Sequence, residues 1–146
     1  MRPHTARGGA LVIAVLWLAG CQTLGDVIWA HDHGEGTMHV YPVDTDQAWQ
    51  IALTVLRWAG SAAIEEQRDQ GYMLARRGPT PLTLGAVMGV WVEPAGQGQT
   101  KVTVVTKRRF AGDITTPLTE RTFQKRFAQA VALVKAGQPL PPTLPR

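Results

Sequence analysis

The first strong pattern along the chain is a helical repeat of apolar residues between positions 45 and 59. The apolar positions are three or four residues apart, as on one face of an α-helix. They are Ala48, Ile51, Ala52, Val55, Leu56 and Ala59. Asp44 stands where its side chain can cap the amide of Gln47, and Gly60 follows as a C-terminal stop. The segment therefore predicts an amphipathic helix that packs on a sheet.

Strand-like alternation follows this helix. Residues 62–68 and 72–77 flank Asp69-Gln70-Gly71, which predicts a β-hairpin because glycine accepts a positive φ. Two longer strands are predicted over 84–92 and 100–107, with a turn at 94–98. Gly85 and Gly89 interrupt the first of these and put its regularity in doubt. A short entering strand around Met38 and Val40 precedes the helix.

A second helical pattern lies near the end of the chain. Thr116-Pro117 has the chemistry of a helix start, and Gly137 closes the helix. Its apolar stripe is Phe123, Phe127, Ala130, Val131 and Val134. The residues from 138 to 146 include four prolines and predict an exposed, extended tail.

These elements predict an α+β fold with one domain over residues 40–137. We expect a two-layer sandwich in which about four antiparallel strands carry two helices on one face, in the order α-β-β-β-β-α. The 45% hydrophobic content argues against a disordered chain, and the single cysteine excludes an internal disulfide framework or a cysteine-rich zinc module.

The N-terminus has the layout of a signal peptide. Arg2 and Arg7 precede an uncharged apolar run of 11 residues, from Ala10 to Gly20. This run is about half the ~20 residues that a membrane-spanning helix needs. Residues 1–20 are therefore predicted to be a cleaved leader.

The end of this run resembles the lipobox of bacterial lipoproteins. Leu18-Ala19-Gly20-Cys21 has the family's aliphatic residue, two small residues and cysteine. The resemblance implies that the Cys21 thiol receives a diacylglyceryl group, that the chain is cut before Cys21, and that the new amine is acylated. Gln22 rather than aspartate follows the cysteine, which in this family implies the periplasmic face of the outer membrane.

The alternative is an uncleaved helical anchor in which Cys21 is an ordinary apolar residue. Apolar residues do continue from Leu24 to Ala30, but Gln22, Thr23 and Asp26 interrupt them. An aspartate near the bilayer centre costs roughly 2.5–3.5 kcal/mol. The lipoprotein interpretation is therefore favoured.

The domain also resembles small uncharacterised bacterial lipoproteins with a helix, a β-meander and a helix, and more loosely the helix-grip domains of outer-membrane assembly lipoproteins. The similarity rests on the helix start at 43–49, the strand at 96–105 and the closing helix near 116–136. The histidine-rich segment before the domain and the glycines at 85 and 89 depart from that pattern.

Residues 21–39 are predicted to be a lipidated, solvated tether. Its histidines, His31, His33 and His39, also suggest a metal site, because imidazole binds zinc, copper or nickel. Against a metal site, Gly34 and Gly36 make the segment costly to order, and no cysteine assists. Both interpretations stay open, with the tether favoured.

Basic residues form the second candidate site. Removal of the leader leaves 13 Lys+Arg against 11 Asp+Glu, a balance too small to indicate nucleic-acid binding. The predicted strand ends carry Arg76, Arg77, Lys107, Arg108 and Arg109. An antiparallel sheet can bring these cations together to bind lipid phosphates or an acidic partner. The alternative is that they are solvated charges that deter edge pairing.

No sequence motif for catalysis was found. Glu65 and Glu66 are adjacent, so they point to opposite faces of a strand, and ion pairs with Arg76 or Arg77 are their predicted role. Trp49, Trp58 and Trp91 are expected to fill the core, or to line a small apolar cavity between helices and sheet.

Together, the sequence predicts a non-enzymatic, lipid-anchored periplasmic protein that binds or scaffolds an envelope protein. The alternative is a small-ligand or metal carrier that uses the cavity or the histidines.

Overall fold

The computed structural model describes residues 24–78, 85–108 and 119–145. In chain order, the elements are α1 (Leu24–Asp32), β1 (Thr37–Tyr41), α2 (Thr45–Trp58), β2 (Ala63–Gln67), β3 (Tyr72–Arg77), β4 (Ala86–Gly96), β5 (Gln99–Arg108) and α3 (Glu120–Lys135). The strands form one five-stranded antiparallel sheet in the order β1-β5-β4-β3-β2. The predicted α+β class is therefore confirmed.

The sheet has five strands rather than the predicted four. The fifth is the short entering strand predicted around Met38 and Val40, which joins the sheet as β1 and pairs with β5 from Thr37 opposite Val104 to Tyr41 opposite Thr100. The predicted hairpin is present as β2 and β3, and Gly71 ends its turn with φ of 73°. Only glycine adopts this left-handed conformation at little cost.

Helices α2 and α3 pack on the same face of the sheet, as predicted. The Asp44 carboxylate caps α2 by accepting a hydrogen bond from the Gln47 amide at 2.7 Å. The largest buried side chains between these helices and the sheet are Trp49, Ile51, Leu56, Phe123, Phe127, Met73 and Met88. Burial of large apolar side chains contributes roughly 1.5–3 kcal/mol each, so this face holds the main core.

The third helix, α1, was not predicted, and it lies on the opposite face of the sheet. Val27 and Ala30 are fully buried there, in a second apolar cluster that includes Leu74, Val87, Trp91 and Val105. The two predicted helices share one face, and α1 adds a helix on the other. Within the segment predicted to be a solvated tether, residues 24–32 form a packed helix, and the predicted entering strand is present at residues 37–41.

Gly89 makes room for this packing inside β4. A Cβ atom at Gly89 would lie 2.5 Å from Trp91 Cζ3 and 2.6 Å from Val27 Cγ1. The strand continues regularly through this position, with Gly89 opposite Val105. The sequence put the regularity of this strand in doubt, but Gly89 does not break it. Its missing side chain lets α1 approach the sheet closely.

The second predicted helix is present as α3, with a later start than predicted. Its cap is Thr119, whose hydroxyl accepts from the Thr122 amide at 3.2 Å. Thr116 and Pro117, the predicted start, lie outside the described residues. The tail has no helix or strand from 138 to 145, but it is held where the Trp58 indole donates to the Pro141 carbonyl at 3.0 Å.

Candidate functional site

The predicted lipidation motif, Leu18-Ala19-Gly20-Cys21, lies outside the described residues. The covalent chain limits its distance from the fold, since only Gln22 and Thr23 separate Cys21 from the first residue of α1. An extended chain spans at most about 3.6 Å per residue. Cys21 is therefore within about 11 Å of the start of a helix that is packed on the sheet.

The structure does not bring the candidate metal ligands together. The His31 ring stacks on Trp91 at 3.8 Å between centroids, and the His33 ring stacks on Trp29 at the same distance. His39 lies on β1, near Tyr41. In the described ranges, no group of three or more His, Cys, Asp or Glu side chains could hold a metal ion.

The candidate basic residues do converge at one end of the sheet. The register aligns Arg77, Ala86 and Arg108 in one cross-strand row, and Arg76, Val87 and Lys107 in the next. Since neighbouring positions in a strand point to opposite faces, Arg77 and Arg108 lie on the side of α2 and α3, whereas Arg76 and Lys107 lie on the side of α1. Arg109 falls outside the described residues.

Carboxylates partly neutralise these cations. Arg76 Nη2 lies 3.0 Å from Glu65 Oε1, which confirms the predicted cross-strand ion pair. Lys107 pairs with Glu35, and Arg108 also has a partner within the chain. The neighbouring Glu66 has a different role, because its Oε2 accepts a hydrogen bond from the Trp49 indole at 2.8 Å.

A polar cleft of about 520 Å³ lies next to this basic end. It is lined by Thr37, Thr106, Arg108, Thr119, Glu120 and Arg121. The Glu120 carboxylate spans the cleft wall, accepting from the Thr37 hydroxyl at 2.6 Å and from the Thr106 amide at 3.0 Å. These bonds tie the first turn of α3 to strands β1 and β5.

A buried polar network continues from the cleft along α3. The Gln124 side chain accepts from the Tyr41 hydroxyl at 2.7 Å and donates to the Thr37 and Val102 carbonyls at 3.0 and 3.2 Å. Burial raises the pKa of Tyr41 to about 12. Tyr41 is therefore a neutral hydrogen-bond donor at physiological pH.

The tryptophans of the domain pack against the protein. Trp49 and Trp58 both belong to α2; Trp49 is almost fully buried in the main core, and Trp58 is partly buried against the same core. Trp91 lies under α1 on the other face. The alternative prediction was a small apolar cavity between the helices and the sheet. That space is filled by the buried side chains of Trp49, Phe123 and Phe127.

The sequence did not predict the cleft or the Gln124 network. One signal was available, since Gln124 precedes Phe127 and Val131 by three and seven residues and thus lies within the apolar stripe of α3. A polar residue in such a stripe needs a buried partner. The Glu120 contacts carried no such signal, because they join positions far apart in the chain.

Comparisons with known proteins give no family for this chain. No family model matches it, and no curated protein matches it. Within the described residues, none of the helices has both the length and the apolar character needed to cross a membrane.

Proposed function

We propose that this protein is a lipid-anchored, non-enzymatic binding or scaffold protein of the bacterial cell envelope, held at the periplasmic face of the outer membrane. The observation that carries the proposal is the Leu18-Ala19-Gly20-Cys21 motif, placed directly after a basic start and an 11-residue apolar run. Position makes this short motif specific, because signal peptides have this order of basic start, apolar core and small residues.

The chemistry of the motif explains the anchor. A cysteine thiol forms a stable thioether, and small residues before it allow an extended backbone to enter a peptidase. Each buried CH₂ of an acyl chain contributes about 0.8 kcal/mol, so several chains on Cys21 hold the protein in the leaflet permanently.

Three carboxylates of the described residues have structural partners. Glu65 and Glu66 are occupied by Arg76 and by the Trp49 indole, and Glu120 joins α3 to the sheet. The folded domain thus uses these carboxylates to hold its own elements together.

The anchor is tested by the variant Cys21→Ser, with Thr23→Ala as the matched control. We expect Cys21→Ser to leave the outer-membrane fraction, while Thr23→Ala stays there. A Cys21→Ser protein that remains in the membrane fraction, with an unchanged electrophoretic mobility, would contradict the proposal.

The sorting of the protein is tested at the next residue. Aspartate at this position directs lipoproteins of the family that the motif resembles to the inner membrane. We expect Gln22→Asp to move the protein to the inner membrane, and Gln22→Asn to leave it in place. Equal distribution of the two variants would contradict the outer-membrane placement.

The scaffold role is tested by purification of the full chain from solubilised membranes. A stable stoichiometric protein partner supports it. A co-purifying metal or small ligand in place of a protein would instead support the carrier alternative.

A further inference from the structure

We propose that the domain sits directly on the phospholipid headgroups, with the basic end of the sheet facing the leaflet. The basic end is defined by Arg76, Arg77, Lys107 and Arg108. This inference rests on the proposed lipidation of Cys21, and adds to it an orientation and a contact surface.

The first step is the lack of slack between anchor and domain. Cys21 lies at most about 11 Å from the start of α1. That helix is fixed to the sheet, since Val27 and Ala30 are fully buried and Leu24 packs against the same cluster. A lipid on Cys21 therefore holds the domain itself, rather than the far end of a flexible linker, at the membrane surface.

The second step is the place of α1 on the sheet. Val27 approaches Gly89, and one turn later His31 stacks on the Trp91 ring, which itself lies over Gly89. Gly89 is three residues from Ala86, where β4 begins, and seven residues from Gly96, where it ends. The helix therefore lies nearer to the end of β4 at which the register places the basic residues.

The third step is the charge at that end. Arg77 lies in one cross-strand row with Arg108, and the side chain of Arg76 is 55% exposed. A guanidinium group has five N–H donors. Arg76 thus retains donors for a phosphate while it is paired with Glu65.

The opposite end of the sheet carries more acidic residues. Asp44 and Asp46 begin α2, Asp69 lies in the β2–β3 turn, and Glu93 pairs with Lys101. An anionic leaflet attracts the basic end and repels the acidic one, so the charge distribution favours the same orientation as the anchor.

The orientation is tested with fluorescent probes on the lipidated full chain. Because the only native cysteine is the lipidated one, an introduced thiol is labelled uniquely. Gly78→Cys places the probe next to the basic end, where a side chain meets no neighbour within 4 Å. Gln97→Cys places it in the exposed turn at the other end of β4, about 35 Å away at ~3.3 Å per residue.

The measurement is quenching by nitroxide headgroup lipids in vesicles that contain phosphatidylglycerol. We expect the probe at 78 to be quenched several-fold more than the probe at 97. Equal quenching in chains that float with the vesicles would overturn the orientation. Chains that do not float would overturn the lipid anchor, and the inference with it.

A matched pair of double variants tests the headgroup contact. Arg76→Gln with Arg77→Gln removes two cations from the basic end, and Arg68→Gln with Lys101→Gln removes two from the other. We expect only the first pair to reduce quenching at 78 severalfold. Equal effects of the two pairs, or no effect of the first, would overturn the role of the basic residues.

Discussion

Replacement of Gly89 by alanine tests the packing of α1 on the sheet. The added Cβ atom would lie 2.5 Å from Trp91 Cζ3, 2.6 Å from Trp91 Cη2 and 2.6 Å from Val27 Cγ1. Carbon atoms in good contact are about 3.5–4.0 Å apart, so these neighbours must retreat by roughly 1 Å. They belong to β4 itself and to α1, and the helix is the element that can move as a unit.

The expected cost follows from two competing responses. Overpacking a filled core typically costs about 1–3 kcal/mol. Release of α1 would expose Val27, whose full burial contributes roughly 1.5–3 kcal/mol. Since these figures are similar, we expect Gly89→Ala to lower the free energy of unfolding by about 1–3 kcal/mol, partly through local detachment of α1.

The assay is urea unfolding of the purified chain, with hydrogen exchange of the α1 amides. Gly78→Ala is the control, since its Cβ meets nothing within 4 Å and its φ is not positive. We expect this control to leave both stability and exchange unchanged. Val27→Ala, which removes Val27 Cγ1, should cost less in the Gly89→Ala background than alone, because the two sites are coupled. A Gly89→Ala protein with wild-type stability and wild-type exchange in α1 would refute the described packing.

Three further predictions concern the other face of the sheet. Asp44→Ala removes the cap of α2 and should cost about 1 kcal/mol, whereas Asp44→Ser keeps an acceptor; equal urea midpoints for the two would contradict the cap. Gln124→Leu keeps the volume but removes the shorter of the two acceptors of the Tyr41 hydroxyl and the donor to the Thr37 and Val102 carbonyls. We therefore expect a loss of about 1–3 kcal/mol in urea unfolding, and a neutral change would contradict the buried network. Because burial raises the pKa of Tyr41 from 10.0 to about 12, the unfolded chain loses this proton first as the pH rises above 10. The contribution of Tyr41 to the free energy of unfolding should therefore be fully present below pH 10. It should decrease between pH 10 and pH 12, by at most about 1.4 kcal/mol per pH unit. Tyr41→Phe should lack this part of the decline, and identical pH slopes for the two proteins would argue against it.

Periodicity was sufficient to predict the elements that are amphipathic by themselves. Helix α2 shows its buried stripe and its Asp44 cap in the local sequence, and the β2–β3 hairpin shows its turn residues. Strand β5 alternates clearly because only half of its side chains face the main core. Each of these features joins residues that are close in the chain.

Helix α1 could not be predicted in the same way. Its apolar residues follow the leader almost without interruption, so they look like the end of that segment. The helix is short, so it depends for its stability on the tertiary contacts that Val27 and Ala30 make with the sheet. The role of Gly89 could not be predicted for a related reason, since the space left by its missing Cβ is filled by Trp91 of the same strand and by Val27 of α1.

The candidate site was predictable only where antiparallel strand pairing determines which residues lie side by side. The convergence of Arg76, Arg77, Lys107 and Arg108 follows from antiparallel pairing and was anticipated. The separation of the histidines was not, because stacking of His31 on Trp91 and of His33 on Trp29 depends on the position of α1.

Mass spectrometry of the protein isolated from its native membrane is the most direct measurement of the lipid anchor. It is predicted to find a chain that begins at Cys21, with a diacylglyceryl thioether on the sulfur and an acyl group on the amine. An unmodified Cys21 preceded by residues 1–20 would contradict the anchor and the proposed location.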